Sequence, residues 1–188
     1  MSLSMEAQLA ARRLEIGDGA TLDAESRFDQ LFREHFPAML GYALRRVDRR
    51  EDAADVAADI MLVAWRRLDD VPPGDEARLW LYGVARGVMR NHARSRNRRT
   101  RLSARLCEHV AALESPATDL AAGHESRDQL RRAMEQLSDG DRELLRLSAW
   151  EALGTSEIAS VLGVRPNTAR KRLERARARL AERLEEDE

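Results

Sequence analysis

The sequence predicts an all-α chain of two small helical domains joined by an acidic flexible linker. Three observations carry that expectation. Aromatic residues make up only 4% of the 188 positions, and a chain rich in Ala, Leu, Arg and Glu favours helices over sheets. Apolar residues recur at helical spacing in two stretches, residues 26–106 and 130–184. Between them, residues 107–129 hold Ser115-Pro116 and Gly123 and few large apolar side chains, over a length too great for a routine loop inside one compact domain.

Composition removes several functional classes. No run approaches 18 consecutive apolar residues, so no membrane span is expected. Residues 1–20 show scattered charge and no apolar core followed by a small-residue cleavage site, so no secretory signal is expected. Cys107 is the lone cysteine, which forbids an internal disulfide or a Cys-x-x-Cys metal site. His35, His92, His109 and His124 lack ligand spacing. No phosphate loop or triad-like set is present, and no catalytic residue, cofactor or metal is expected. A reducing cytoplasm fits all of this.

In chain order, residues 1–25 are weakly periodic and broken by Gly17-Asp18-Gly19, which predicts a frayed tail. Phe28, Leu31, Phe32, Phe36, Met39 and Leu40 predict a first helix that Pro37 bends or restarts. A second helix is expected from Arg50 to Leu68, with Val56, Ile60, Val63 and Arg67 on one stripe. Val71-Pro72-Pro73-Gly74-Asp75 breaks it. A third begins at Asp75 and Glu76, where negative charge suits the helix dipole, and reaches about Arg98. The acidic linker follows, with room for short helical pieces. Ser138-Asp139-Gly140-Asp141 can cap a supporting helix in the second domain, and residues 185–188 form an acidic tail.

Charge is strongly segregated although 32 basic and 33 acidic residues leave a net charge of −1. Asp48 to Glu76 carries nine acids against four arginines, and Arg78 to Arg105 carries nine arginines and no acid. Cys107 to Gln129 is acidic again, and Arg165 to Arg183 holds eight basic residues against Glu174 and Glu182. Lys171 is the only lysine. Arginine suits phosphate and carboxylate forks, while a GC-rich genome would produce the same bias. Two sharply bounded basic blocks suggest two polyanion-binding surfaces; two solvated helix faces would read the same way.

Thr155 to Leu173 has the pattern of a helix-turn-helix. Ala159 is small where two helices approach, Gly163 supplies a left-handed turn residue, and Ile158, Leu162, Val164 and Leu173 lock the pair. Pro166 suits the first turn of the second helix. Arg165, Asn167, Thr168, Arg170, Lys171, Glu174 and Arg175 would then stand at or on a helix able to enter a major groove, where arginine forks onto guanine and cations hold phosphates.

In the first domain, Asp52, Asp55 and Asp59 fall at i, i+3 and i+7 on one helix face. They suit docking to a basic partner, and equally suit ordinary solvation. Trp80, Leu81 and Tyr82 precede Arg86, Arg90, Asn91 and Arg94. Aromatics beside an arginine ladder are what holding separated strands requires. Trp80 and Tyr82 also fit a core, and for Trp80 taken singly core packing is expected.

Taken together, Asp52 to Trp65, Trp80 to Arg86 and Leu137 to Leu180 resemble the extracytoplasmic-function (group IV) sigma factors of bacterial RNA polymerase, in the sigma-70 superfamily. The resemblance covers about residues 26–184, and the order and separation of its pieces are specific. It implies a promoter-specificity subunit without catalysis of its own, whose regions 2 and 4 are residues 26–106 and 130–184. Asp52, Asp55 and Asp59 would dock on the clamp helices of the largest polymerase subunit, with the flap as a further core contact. Trp80, Arg86, Arg90, Asn91, Arg94 and the preceding loop (Asp69 to Asp75) would face the −10 element, where a base is extruded. Arg165, Asn167, Thr168, Arg170, Lys171 and Arg175 would read the −35 element. The acidic linker would thread the polymerase cleft, an anti-sigma factor is an expected partner, and the holoenzyme would be nucleoid-associated. Ala58 replaces a usual glutamine, Gly87 a common asparagine, Asn91 a frequent aspartate and Ala169 a usual valine; these differences bear on individual base contacts. The competing reading is a stand-alone helix-turn-helix regulator.

Overall fold

Placed on a helix at about 100° per residue, Phe28, Leu31, His35, Met39, Tyr42 and Ala43 fall within an arc of roughly 120°, and all of them are buried. That single apolar face explains the first element of the computed structural model, which describes residues 18–47, 49–107 and 124–186, with side chains for 22–47, 49–94 and 128–186. Every element among the described residues is helical. They are α1 (Asp18–Leu44), α2 (Arg50–Arg66), a 3-10 turn (Leu68–Asp70), α3 (Asp75–Cys107), α4 (His124–Gln136), α5 (Asp139–Ala149), α6 (Thr155–Leu162) and α7 (Pro166–Glu186). The chain divides into two compact units, Met1–Arg99 and Thr100–Glu188.

In the first unit, α2 turns Ala53, Val56, Ala57, Ile60, Met61, Ala64 and Trp65 inward. The alanines let the helices approach, and Trp65 supplies the bulk: it is 2% exposed and meets Phe28 of α1 edge-on at 5.1 Å. Tyr42 of α1 meets Tyr82 of α3 at 5.7 Å, so aromatic contacts tie α1 to both other helices. Arg27 of α1 holds the turn after α2, donating to the Leu68 carbonyl at 3.4 Å and pairing with Asp69 at 3.7 Å. Gly74 has φ +63, the left-handed backbone that lets the chain enter α3 just after two prolines.

The second unit is built on Leu144, Leu145 and Leu147 of α5, Ile158, Ala159 and Val161 of α6, and Ala169, Leu173 and Ala176 of α7, with Ala133 and Leu137 beneath. Ser138 caps α5, its hydroxyl accepting from the Asp141 amide at 3.2 Å. Glu157 accepts from the Gly154 amide at 2.7 Å and closes the start of α6. Gly163 ends α6 at φ 64, ψ 39, and the Val164 amide returns to the Ala159 carbonyl at 3.0 Å. This left-handed cap and the start of α7 at Pro166 match the helix-turn-helix expected from the sequence.

Several expected boundaries are corrected. The tail expected over residues 1–25 is helical from Asp18; Gly19 falls in the first turn, where few internal bonds are at stake, and Asp18 suits the dipole. The first helix runs through Pro37. The third continues beyond Arg98 to Cys107, because residues 99–107 contain neither glycine nor proline. The linker expected over 107–129 is helical at Cys107 and from His124 onward, since no breaker follows Gly123 and Glu125 favours a helix start. Glu185 and Glu186 of the acidic tail close α7. Expectations for residues 1–17, 108–123 and 187–188 lie outside the described residues.

The turn between α5 and α6 carries a feature with no sequence signal: Ala152 adopts φ 53. A left-handed alanine costs about 1–2 kcal/mol, held here by the Leu153 amide bonding the Leu147 carbonyl at 3.0 Å. Replacing Ala152 by Gly should therefore stabilise the protein, by about 1 kcal/mol after the unfolded-state entropy of glycine is subtracted. Trp65→Ala should cost about 3–5 kcal/mol and Trp80→Ala far less. Thermal or urea denaturation of the variants checks both expectations.

Candidate nucleic-acid interface

The same angular bookkeeping places Trp80, Arg86, Arg90, Asn91 and Arg94 of α3 within about 140° of one another. They lie opposite the arc of Ala77, Leu81, Tyr82 and Ala85, which is buried. Arg90, Asn91 and Arg94 are exposed, and Trp80 and Arg86 half-buried. The five candidates thus share the face that α3 turns away from its core. Arg96, Arg98, Arg99, Arg101 and Arg105 continue this helix, and their side chains lie outside the described residues.

The core expectation for Trp80 is corrected. Trp65 and Tyr82 fill that interior, leaving Trp80 half-buried, with the Arg67 guanidinium over its ring 5.4 Å from the centre. Arg67 itself follows the last residue of α2, and its Nε bonds the Asp70 carboxylate at 2.8 Å. Sequence reasoning puts Arg67 on the apolar stripe of its helix. The turn at Leu68–Asp70 rotates it out instead, and the position of that turn, just before the Pro-Pro-Gly breaker, was the available signal.

On α2, Asp52, Asp55 and Asp59 fall within about 60°, away from the Val56 and Ile60 face. Asp55 and Asp59 are exposed and Asp52 half-buried. The Asp59 carboxyl is pushed above its ordinary value of 3.8, first by desolvation and next by the charge of Asp55, against the opposing pull of His92 and Arg66. The stripe is therefore self-repulsive in the free chain. A cationic partner would relieve it.

On α7, Asn167, Arg170, Lys171, Glu174 and Arg175 occupy the side opposite Ala169, Leu173 and Ala176, and all five are exposed. Arg165 stands exposed just before the helix, and Thr168 is half-buried. Arg170 is held on the surface by two neighbours, donating to Asn167 Oδ1 at 3.0 Å and to Glu174 Oε1 at 3.2 Å. Its fork is oriented along the outward face before any ligand arrives.

Three further arginines of the C-terminal basic block are engaged within the chain. Arg179 reaches back to Asp141 at 2.6 Å, whose side chain is only 12% exposed. Arg177 donates to the Ser148 hydroxyl at 3.1 Å, and Arg183 pairs with Glu186 at 2.5 Å. A count of basic residues overstates the cations free to meet a polyanion. A further surface feature is Trp150 at the end of α5, 47% exposed, with the Arg146 guanidinium 5.6 Å from its ring centre. Among the described residues, no helix is long and apolar enough to cross a membrane.

Comparison with known proteins places the chain among sigma-70 family proteins. The family model for sigma-70 region 2 matches residues 31–99, and that for sigma-70 region 4 matches residues 127–180. The RNA polymerase sigma factor CnrH of Cupriavidus metallidurans is 30% identical over 170 residues, covering 85% of this chain and 87% of the relative. Among solved structures, the Bartonella quintana sigma factor RpoE, crystallised with the anti-sigma factor NepR, superposes with a TM-score of 0.64 at 26% identity, covering 86% of this chain and 98% of that one. CnrH in complex with the cytosolic domain of CnrY gives a TM-score of 0.61 at 25% identity, with coverage of 97% and 96%.

The division of labour among the arginines of α7 is directly measurable. Arg179→Ala should destabilise the fold by about 1–3 kcal/mol, because it leaves the Asp141 carboxylate short of its partner. Arg175→Ala should stay within about 0.5 kcal/mol of the parent in the same denaturation series.

Proposed function

The chain belongs to the extracytoplasmic-function branch of the sigma-70 family, and from that membership we propose how its surfaces divide the work. The protein is a sigma factor that directs promoter-specific transcription initiation. RNA polymerase core performs the chemistry and this chain selects the start site, contributing no catalytic group of its own. The acidic stripe Asp52, Asp55 and Asp59 docks on the basic clamp helices of the largest core subunit, and the flap is a further core contact. The α3 face bearing Trp80, Arg86, Arg90, Asn91 and Arg94 receives the melted −10 strand. The α7 face bearing Asn167, Thr168, Arg170, Lys171 and Arg175, with Arg165 at its edge, reads the −35 element in the major groove. Residues 26–106 and 130–184 act as the two DNA-reading modules, and the acidic linker between them follows the polymerase cleft. Within the holoenzyme the protein is nucleoid-associated.

One observation carries this reading: in each unit, the candidate cations lie on the face opposite the buried one, each beside the group its task needs. On α3 that group is the half-buried Trp80 indole, able to meet an unpaired base. On α7 it is the Asn167–Arg170–Glu174 array at the start of a reading helix, where base edges are contacted. An anti-sigma protein is the expected regulator, covering the acidic stripe and the DNA-reading faces; the solved sigma–NepR and CnrH–CnrY complexes support that partner class.

Electrostatics gives the core contact a pH dependence of definite sign. Raised above its ordinary value by desolvation and by Asp55, the Asp59 carboxyl of the free protein takes up a proton more readily than an unperturbed aspartate, whereas basic clamp helices favour the carboxylate. Docking therefore releases a proton, and core affinity should fall on acidification from a pH above the ordinary aspartate range. Linkage acts oppositely on the free fold: a raised carboxyl favours the folded state below its folded value and loses that advantage as pH rises. Asp59→Asn should thus leave the free protein at least as stable at neutral pH while weakening co-elution with core. Asp55→Arg should abolish co-elution with the fold intact.

Run-off transcription with purified core and a genomic promoter pool tests the function itself, with a defined set of start sites expected. Arg170→Ala and Arg175→Ala should each cost about 1–3 kcal/mol of −35 affinity where the arginine meets a base. A phosphate contact alone would instead weaken every sequence alike and flatten the salt slope by about one unit. Tight, specific binding to duplex DNA without core would favour the stand-alone regulator.

A further inference from the structure

Arg67 stands apart from the other arginines of the first unit. It follows the final turn of α2, with its amide bonded to the Val63 carbonyl at 3.1 Å, and its own carbonyl accepts from the Asp70 amide at 2.9 Å. The tight turn between brings Asp70 back onto the Arg67 Nε at 2.8 Å. Across from this pair, the guanidinium carbon lies 5.4 Å from the centre of the Trp80 ring. The Arg67 and Asp70 side chains are 55% and 57% exposed. Among the described residues, the ion pair engages only Nε, so the two terminal nitrogens keep their outward donors.

A planar cation over a half-buried indole, held at Nε and open at its terminal nitrogens, is a fork suited to two oxygens of a phosphate. Its position fixes the kind of phosphate. In duplex DNA the bases are stacked inside and cannot reach Trp80. An unpaired base brought to that ring has its backbone within a side chain's length of Arg67, whose guanidinium lies over the ring. The turn that carries Arg67 is itself anchored, because Arg27 holds Leu68 and Asp69 from the other flank. Little loop ordering would therefore remain to oppose binding.

From this arrangement we propose that Arg67 is a backbone clamp for single-stranded DNA, holding the phosphate next to the base that reaches Trp80, with Asp70 holding the guanidinium by its Nε until the strand arrives. The inference rests on the −10 reading of α3 and extends it to a residue of α2. Arg67 positions the strand, and the ladder of Arg86, Arg90 and Arg94 continues the backbone track. Exchange of partners costs little, since an exposed ion pair such as Arg67–Asp70 is worth little in water.

The test uses holoenzyme reassembled from the full chain and its core, with fluorescence anisotropy of a labelled oligothymidylate single strand as the readout. Arg67→Ala should weaken single-strand binding roughly 5- to 20-fold and lower the log–log salt slope by about 0.7, the value for one phosphate on a single strand. Arg67→Lys should recover most of the salt slope but not all of the affinity, because the charge returns without the fork. Core co-elution and the melting temperature should stay at parent values in both variants. Unchanged single-strand binding by Arg67→Ala, with Trp80→Ala and Arg90→Ala both weakened, would overturn the clamp and leave the −10 reading standing. Parent-like binding by all three variants would overturn both. An Arg67→Ala loss of equal size on intact duplex, tested with the same holoenzyme, would also overturn the clamp, since the contact would then not depend on strand separation.

Discussion

A helix can bury only one face, and in this protein that restriction governs everything else. Each unit is too small to cover any helix on all sides, so α2, α3 and α7 each give one stripe to the core and keep the opposite stripe in water. The buried stripes are built from alanine and a few bulky residues. Trp65 fills the interior that the small residues of α2 leave open, and Leu144, Leu145 and Leu147 do the same against the alanines of α7. Once those stripes are committed, the orientation of every candidate functional side chain is fixed to within a fraction of a helical turn. Trp80 and Arg90 face outward because Leu81 and Ala85 cannot.

The second organising effect is electrostatic, and it separates cations that look alike in the sequence. Arg179 belongs to the fold, because the mostly buried Asp141 carboxylate would otherwise lose its partner. Arg27 belongs to the turn before α3, through Leu68 and Asp69. Arg170 is paired only with other exposed groups. The acid stripe on α2 shows the complementary case. Desolvation raises the Asp59 carboxyl, and the charge of Asp55 adds to it. A surface arranged for stability alone would not keep two carboxylates in that position. A docking surface for a basic partner gains from them.

Much of this was legible because periodicity and turn chemistry act locally. The helix-turn-helix could be read from Ala159, Gly163 and Pro166, since close approach, a left-handed turn and a helix start each admit few residue types. Ser138 was readable as a cap for the same reason. The helix ends were harder. Gly17-Asp18-Gly19 looks like a stop, yet the helix begins at Asp18, because a glycine in a first turn forfeits little. The placement of Trp80 was not legible at all. Trp65 and Trp80 are both tryptophans on amphipathic helices, and which one fills the core depends on the packing of Phe28 and Tyr42 from another helix. Ala152 gives no warning of its left-handed backbone, which is imposed by the bonds that flank it. Arg67 was missed because a 3-10 turn of three residues changes the direction of a side chain that helical periodicity assigns to the apolar stripe.

The two candidate DNA surfaces share a physical device. In each, an exposed arginine waits on a neighbouring carboxylate: Arg170 on Glu174 and Arg67 on Asp70. Such pairs are worth little in water, so they do not compete seriously with a phosphate or a guanine edge. They do fix the direction of the fork, and they place a negative charge beside each positive one. Random encounters with polyanions are thereby weakened, in keeping with a net charge of −1 on a chain that carries 31 arginines and one lysine. A ligand that satisfies only the charge gains little over the acid it displaces. A ligand that also matches the geometry, a stacked base at Trp80 or a base edge before Asn167 and Arg170, gains the fork, the stack and the phosphate together. On the proposed reading, pre-pairing turns arginines that would bind any nucleic acid into groups that favour one shape of it. For a chain whose task is to select a start site, that discrimination matters more than affinity.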